Sequence, residues 1–183
     1  MKKITTKDIV LIGLIAAILC ILAPISIPIP ISPVSITLGL FAVVMAGILL
    51  GKWQGLLCVA VYILIGMVGM PVFSNYSGGI QKIAGPSGGY LIGYLALVWI
   101  VGFFVEKFPS KIYMYFVGAV IGTVLCYAIG TLWMKVLLNL TFVEALMMGV
   151  IPFIPLDMVK IILAVLSCYP VRKTLKKQNL LQA

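Results

Sequence analysis

Asp157 and Lys160 are the residues in this chain whose types and spacing could do chemistry. They lie in Ile151-Pro-Phe-Ile-Pro-Leu-Asp-Met-Val-Lys160, inside an otherwise apolar stretch. A carboxylate at bilayer depth costs about 2.5–3.5 kcal/mol even on the mildest insertion scale, so ionisable groups there default to function. The i, i+3 spacing puts both on one helical face, where they can pair or hold a polar ligand together. Pro155 suits the first turn of the helix that carries them, because its missing N–H is an orphan there anyway. The pair then sits near a helix N-terminus, beside free backbone donors. The same spacing fits an ion pair that ties two helices together; a pocket is the favoured reading. In such a pocket Asp157 accepts from a ligand N–H, Lys160 donates to a carbonyl or pairs with a carboxylate, and Asn75 can do either.

The elements that must position these groups are membrane helices. At 183 residues, 63% hydrophobic and 9% charged, with mean hydropathy +1.26, the composition is that of an integral membrane protein. Residues 1–183 are expected to form a single transmembrane domain with no room for a nucleotide-binding module. Continuous apolar runs without alternation argue against a barrel. A net charge of +9 could suggest nucleic acid, but the basic residues lie between apolar segments and at the termini, as topology-setting charge does. Cys20, Cys58, Cys126 and Cys168 are far apart in apolar runs, and there is no histidine, so no metal site is expected. There is also no Ser/Lys dyad and only one acidic residue in the core, so catalysis has no constellation to run on.

Six transmembrane helices are predicted: Lys7–Ala23, Ile36–Leu50, Trp53–Gly69, Tyr90–Val105, Ile112–Leu138 and Pro155–Val171. Thr5 or Thr6 can cap the first, with Asp8 in its first turn. The apolar stretch Ile9–Ala23 has no small-residue cleavage site after it and reads as a retained helix rather than a signal peptide. Gly13 and Ala17 on it are four apart, a spacing that permits close helix approach in lipid. Pro24–Ser35 holds four prolines in twelve residues and cannot be helix. Met70–Gly89, with five glycines and with Asn75, Gln81 and Lys82, has the length and composition of a lid. The string from Gly47 to Trp53 fails as a phosphate loop, with one residue too few between the glycines and Trp in the magnesium-binding place. Trp133 and Lys135 suit an interface, where Trp anchors and Lys snorkels, and Trp133 equally suits a pocket wall.

Charge orients the spans. Lys2, Lys3, Lys7, Lys52, Lys107, Lys111, Arg172, Lys173, Lys176 and Lys177 fall on the side of the two termini, and only Lys82 on the other. The N- and C-termini are therefore expected to be cytoplasmic in a multi-pass protein of the cell membrane. The proline loop, the glycine loop and the start of the last helix then converge outside, as two lids over a substrate pocket. Without an ATP motif, an unaided pump is improbable and a separate motor attractive.

Four stretches carry a family resemblance: Pro30-Ile-Ser-Pro-Val-Ser-Ile-Thr37, Gly66-Met-Val-Gly-Met-Pro-Val-Phe73, Gly85-Pro-Ser-Gly-Gly-Tyr-Leu-Ile-Gly93 and the Asp157–Lys160 motif. In this order, over nearly the whole chain, they resemble BioY, the biotin-binding S component of energy-coupling factor (ECF) vitamin transporters. The resemblance implies a six-helix subunit that captures biotin from outside, partnered by a transmembrane coupling subunit and two ATP-hydrolysing subunits, with no cofactor of its own. It implies that Asp157, Lys160 and Asn75 hold the ureido head, with Lys160 as the alternative partner for the carboxylate. Tyr90, Phe41 and Trp133 are the expected walls around the ring and valeryl chain. The family's alanines four apart on the first helix, its docking surface, fall nearest to Gly13 and Ala17. Where the family often has proline and glutamine, this chain has Ser35 and Gly39. The runner-up function is a stand-alone secondary transporter of biotin or a related small acid, with Asp157 cycling protons.

Overall fold

The computed structural model describes residues 5–30 and 32–178. Lys2 and Lys3, counted above among the orienting charges, and Ile31 of the first motif lie outside the described residues. The elements in order are α1 (Thr6–Leu22), β1 (Ser26–Ile27), β2 (Ile36–Thr37), α2 (Gly39–Leu50), α3 (Lys52–Met67), α4 (Ile80–Ala84), α5 (Gly88–Lys107), α6 (Ile112–Leu138), α7 (Phe142–Gly149) and α8 (Ile154–Lys177). A single 3₁₀ turn, Ser74–Tyr76, precedes α4. The chain is an all-α, multi-span membrane protein. Among the described residues three helices, α5, α6 and α8, are long and apolar enough to cross a bilayer, and α2 and α3 are shorter apolar helices.

Local chemistry explains several helix ends. Thr5 caps α1 in a reciprocal box: its hydroxyl accepts from the Asp8 N–H, and Asp8 accepts from the Thr5 N–H at 2.8 Å. Gly51, at φ +85°, turns α2 into α3, and the Lys52 N–H donates to the Glu106 carboxylate at 2.9 Å. Asn139 adopts the left-handed conformation that stops α6. α7 repeats the capping box with Thr141 and Glu144.

α2 is buried on nearly every side, enclosed by α1, α3, α5 and α8. That is why it can be short: it spends its length inside protein rather than against lipid. α5 and α6 pair over their length because glycines let the backbones approach; a side chain at Gly93 would meet Cys126 Sγ at 2.8 Å, and one at Gly122 would meet Leu97 Cδ1 at 2.7 Å. The outward faces of α6 and α8 stay apolar and exposed, as at Val124, Val136, Leu163 and Leu166. They are the surface a bilayer covers.

Helix ends shift by one or two residues at several places, and three differences from the sequence expectation are larger in consequence. Ile36 and Thr37 do not start α2; they pair with Ser26 and Ile27 in an antiparallel ladder, giving the proline loop's backbone groups internal partners. The glycine loop is partly ordered by the 3₁₀ turn and α4. Finally, α8 runs on through Pro170 to Lys177 rather than ending at Val171. Arg172, counted above as a flanking topology charge, is buried, 4% exposed, and its guanidinium donates to the Ile48 and Leu49 carbonyls at the end of α2.

Candidate functional site

The start of α8 places the two charged groups. Pro155 occupies the first turn, and the Asp157 N–H donates to the Phe153 carbonyl at 2.8 Å, so the helix is already established where the carboxylate projects. One turn on, Lys160 Nζ donates to Asp157 Oδ1 at 2.7 Å. Both are buried, at 5% and 9% exposure. The second carboxylate oxygen is not free either: Tyr127 Oη on α6 donates to Oδ2 at 2.6 Å. A buried charge pair is held stably only when the remaining polar sites are also satisfied, and Tyr127 does this for the carboxylate.

These three groups line a cavity of about 660 Å³, counting its open mouth. Tyr62, Phe73, Tyr90, Tyr94 and Phe153 contribute rings to its walls, and Ser35, Ser74 and Lys82 come from the loops. Tyr90 is fixed by its hydroxyl, which donates to the Gly149 carbonyl at 2.9 Å and so ties α5 to the end of α7. Lys82, on α4, stands at the wall half-buried, and burial pushes its ammonium below the ordinary value. Among the described residues no group of three or more His, Cys, Asp or Glu side chains gathers as a metal site.

Of the residues singled out in the sequence, the structure brings Asp157, Lys160 and Tyr90 into the cavity wall. Asn75 is exposed and sits beside the wall, one residue from Ser74. Its side-chain oxygen accepts from Ser26 Oγ at 2.7 Å, and its amide donates to Ser35 Oγ at 2.7 Å. Asn75 therefore stitches the glycine loop to the proline loop. Ser35 supplies one of those two stitches. Phe41 packs against the hydrophobic core and is not among the lining residues. Trp133 is not among them either; the residue is 38% exposed and its indole N–H donates to the Gly85 carbonyl at 3.0 Å, bracing the loop before α5. Gly13 and Ala17 are exposed on α1, and a Cβ at Gly13 would meet nothing within 4 Å.

Sequence reasoning missed Tyr127, Tyr94 and Lys82. Tyr127 carried no local signal, since its partner is thirty residues away. Lys82 did carry one, as the lone basic residue in a loop expected to cover the pocket.

In chemical terms the site offers a carboxylate that can accept from N–H groups, an ammonium with donors left over, and several aromatic rings for an apolar body. That is a complement to a small molecule with an amide- or urea-like head.

The BioY family pattern matches residues 1–177. The chain belongs to the BioY family. Among its BioY relatives, the biotin transporter BioY of Thermotoga maritima is 34% identical over 91% of this chain and 96% of its own. The probable biotin transporter BioY of Pyrococcus horikoshii is 36% identical over 87% of this chain and 93% of its own. The fold is similar to a crystal structure of the S-component for biotin from an ECF-type ABC transporter, with TM-score 0.85 at 29% identity over 91% of each chain. The BioY fold thus accounts for the order of elements around the cavity.

Proposed function

We propose that this chain is the high-affinity biotin-binding S component of an ECF-type vitamin transporter. The observation that carries the reading is the buried Asp157–Lys160 pair, held by Tyr127 in the wall of an aromatic cavity, in a chain of the BioY family. Asp157 accepts from the ureido N–H groups and Lys160 donates to the ureido carbonyl, while Tyr90 and the other rings pack along the bicycle and valeryl chain. Lys82, the other cation on the wall, is the partner for the carboxylate, with Lys160 as the alternative. Asn75 acts from the lid, exchanging a serine partner for the ligand as the loops close. The protein captures its ligand and does not transform it.

The single domain of residues 1–183 crosses the membrane six times, with both termini cytoplasmic and the proline and glycine loops lidding the pocket outside. The distribution of basic residues between the two sides, nine to one with the buried Arg172 set aside, supports this orientation. A transmembrane coupling subunit and two ATPase subunits energise release inward. Gly13 and Ala17, exposed and uncovered on α1, are the docking face for the coupling subunit.

Isothermal titration of purified, ligand-free protein with biotin, beside a relative lacking the intact ureido ring, tests this. Nanomolar biotin binding with strong discrimination against the relative is expected. No heat from well-folded, empty protein would sink the assignment.

A further inference from the structure

A second hollow lies behind the site. It opens between α6, α7 and α8 and holds about 1130 Å³ of empty space, counting its open side. Tyr127 and Asp157 stand in the walls of both hollows, so this one backs directly onto the ion pair. Asp157 already gives its oxygens to Tyr127 and Lys160, and the rest of the wall is almost wholly apolar. Its rim is formed by Val124, Leu132, Phe142, Ile154 and Met158, all exposed. These belong to the lipid-facing surface of α6 and α8, so the hollow is a groove in the surface that meets the bilayer. Protein atoms do not fill it, and water has few polar partners there.

Its length and its end favour one occupant. On α6 it runs from Val120 to Leu132, twelve residue steps or about 18 Å of helix. One leaflet of hydrocarbon is about 15 Å deep. α7 bounds the loop end with Phe142 and Leu146. At that same end Lys135, half-buried, follows Thr131 of the groove by four residues and so falls on the same face of α6. A basic group at the interface above a leaflet-deep apolar groove matches a phosphate joined to an acyl chain.

We propose that the α6–α7–α8 groove binds one phospholipid of the loop-side leaflet, its acyl chain filling the groove and its phosphate at Lys135. The chain completes the wall behind Asp157 and Tyr127, which helical packing alone leaves open. This site does not depend on which ligand the cavity takes.

The test uses full-length protein in nanodiscs of phosphatidylglycerol and phosphatidylethanolamine, doped with a phosphatidylglycerol photoreactive midway along one acyl chain. After irradiation, labelled peptides are mapped. The apolar face of α1 at Ile9, Val10, Leu14 and Ile21 serves as the control for ordinary lipid contact. At least fivefold more label is expected on residues 120–132 and 154–161 than on that face. Ala128 lines the groove and is exposed, so Ala128→Trp fills it from the lipid side and should bring the ratio to about one. Lys135→Gln should lower groove labelling severalfold. Equal labelling of both faces in wild type, or an Ala128→Trp ratio unchanged from wild type, overturns the proposal. Absence of groove label in protein that native mass spectrometry shows to be a dimer also overturns it and assigns the face to a second subunit. If Ala128→Trp does not fold, the wild-type ratio and Lys135→Gln decide.

Discussion

α8 buries charge at both ends, and the two ends use it differently. At the loop end, Asp157 and Lys160 face each other across one turn and line a cavity with Tyr127. At the basic end, fifteen residues on and about 22 Å along the axis, Arg172 instead donates to the Ile48 and Leu49 carbonyls of α2. Helix C-termini leave carbonyls without intrahelical partners and carry partial negative charge, so they accept a guanidinium well. A buried charge spent on a helix end is architecture. One that faces a cavity beside an opposite charge can be re-paired by a ligand. The burial of a charge does not by itself distinguish the two roles; what it faces does.

Asp157→Ala should break the loop end most severely. It strands the Lys160 ammonium, a loss on the order of 3–5 kcal/mol for a buried pair. Biotin binding by titration should fall more than a hundredfold, and size-exclusion and circular dichroism should show whether the protein remains folded. Tyr127→Phe keeps the ring and removes one hydrogen bond to a charged group, worth about 1.5–3 kcal/mol. At least tenfold weaker binding is expected, with thermal stability little changed. An affinity equal to wild type would show that the ligand displaces Tyr127 at no loss.

Arg172→Met should behave oppositely. Stranding two carbonyls at the end of α2 costs about 1–3 kcal/mol each at most, so the thermal midpoint should drop while the folded fraction binds biotin within threefold of wild type. Weakened binding at unchanged stability would join the two ends of α8 into one device and erase the contrast.

The smallest effect concerns a carboxylate in water. Hydrogen bonds from the Thr141 N–H and hydroxyl hold the Glu144 carboxyl below its ordinary value of 4.5. A lowered folded value means that the cap's contribution is fully present above the ordinary value and is lost as pH falls through the folded one. Hydrogen exchange in α7, corrected for intrinsic rates, should therefore quicken on acidification below that range. Glu144→Gln should flatten this dependence while leaving Asp157 and its cavity untouched.

Much of this was legible in the residues. The apolar runs announced the helices, and α6 begins and ends where the sequence placed it, at Ile112 and Leu138. Asp157 and Lys160 were legible as a pair because an i, i+3 contact depends only on helical geometry. The capping of α1 by Thr5 with Asp8 was legible for the same reason. The start of α2 was misjudged because Ile36 and Thr37 are apolar enough for helix, and only their pairing with Ser26 and Ile27 claims them for a ladder. Arg172 was read as a flanking charge because its partners are more than 120 residues away.

The sequence by itself determined the membrane class, the main apolar helices and the pairing of Asp157 with Lys160, since apolar runs and local spacing are written within a segment. The tertiary structure alone decided that Tyr127 meets Asp157, that Asn75 joins two loops through Ser26 and Ser35, and that α6 and α8 leave a groove between them. Those outcomes depend on how each helix is rotated and how closely it crosses its neighbours. In lipid that is set by small residues and interhelical hydrogen bonds acting together, which no single segment contains.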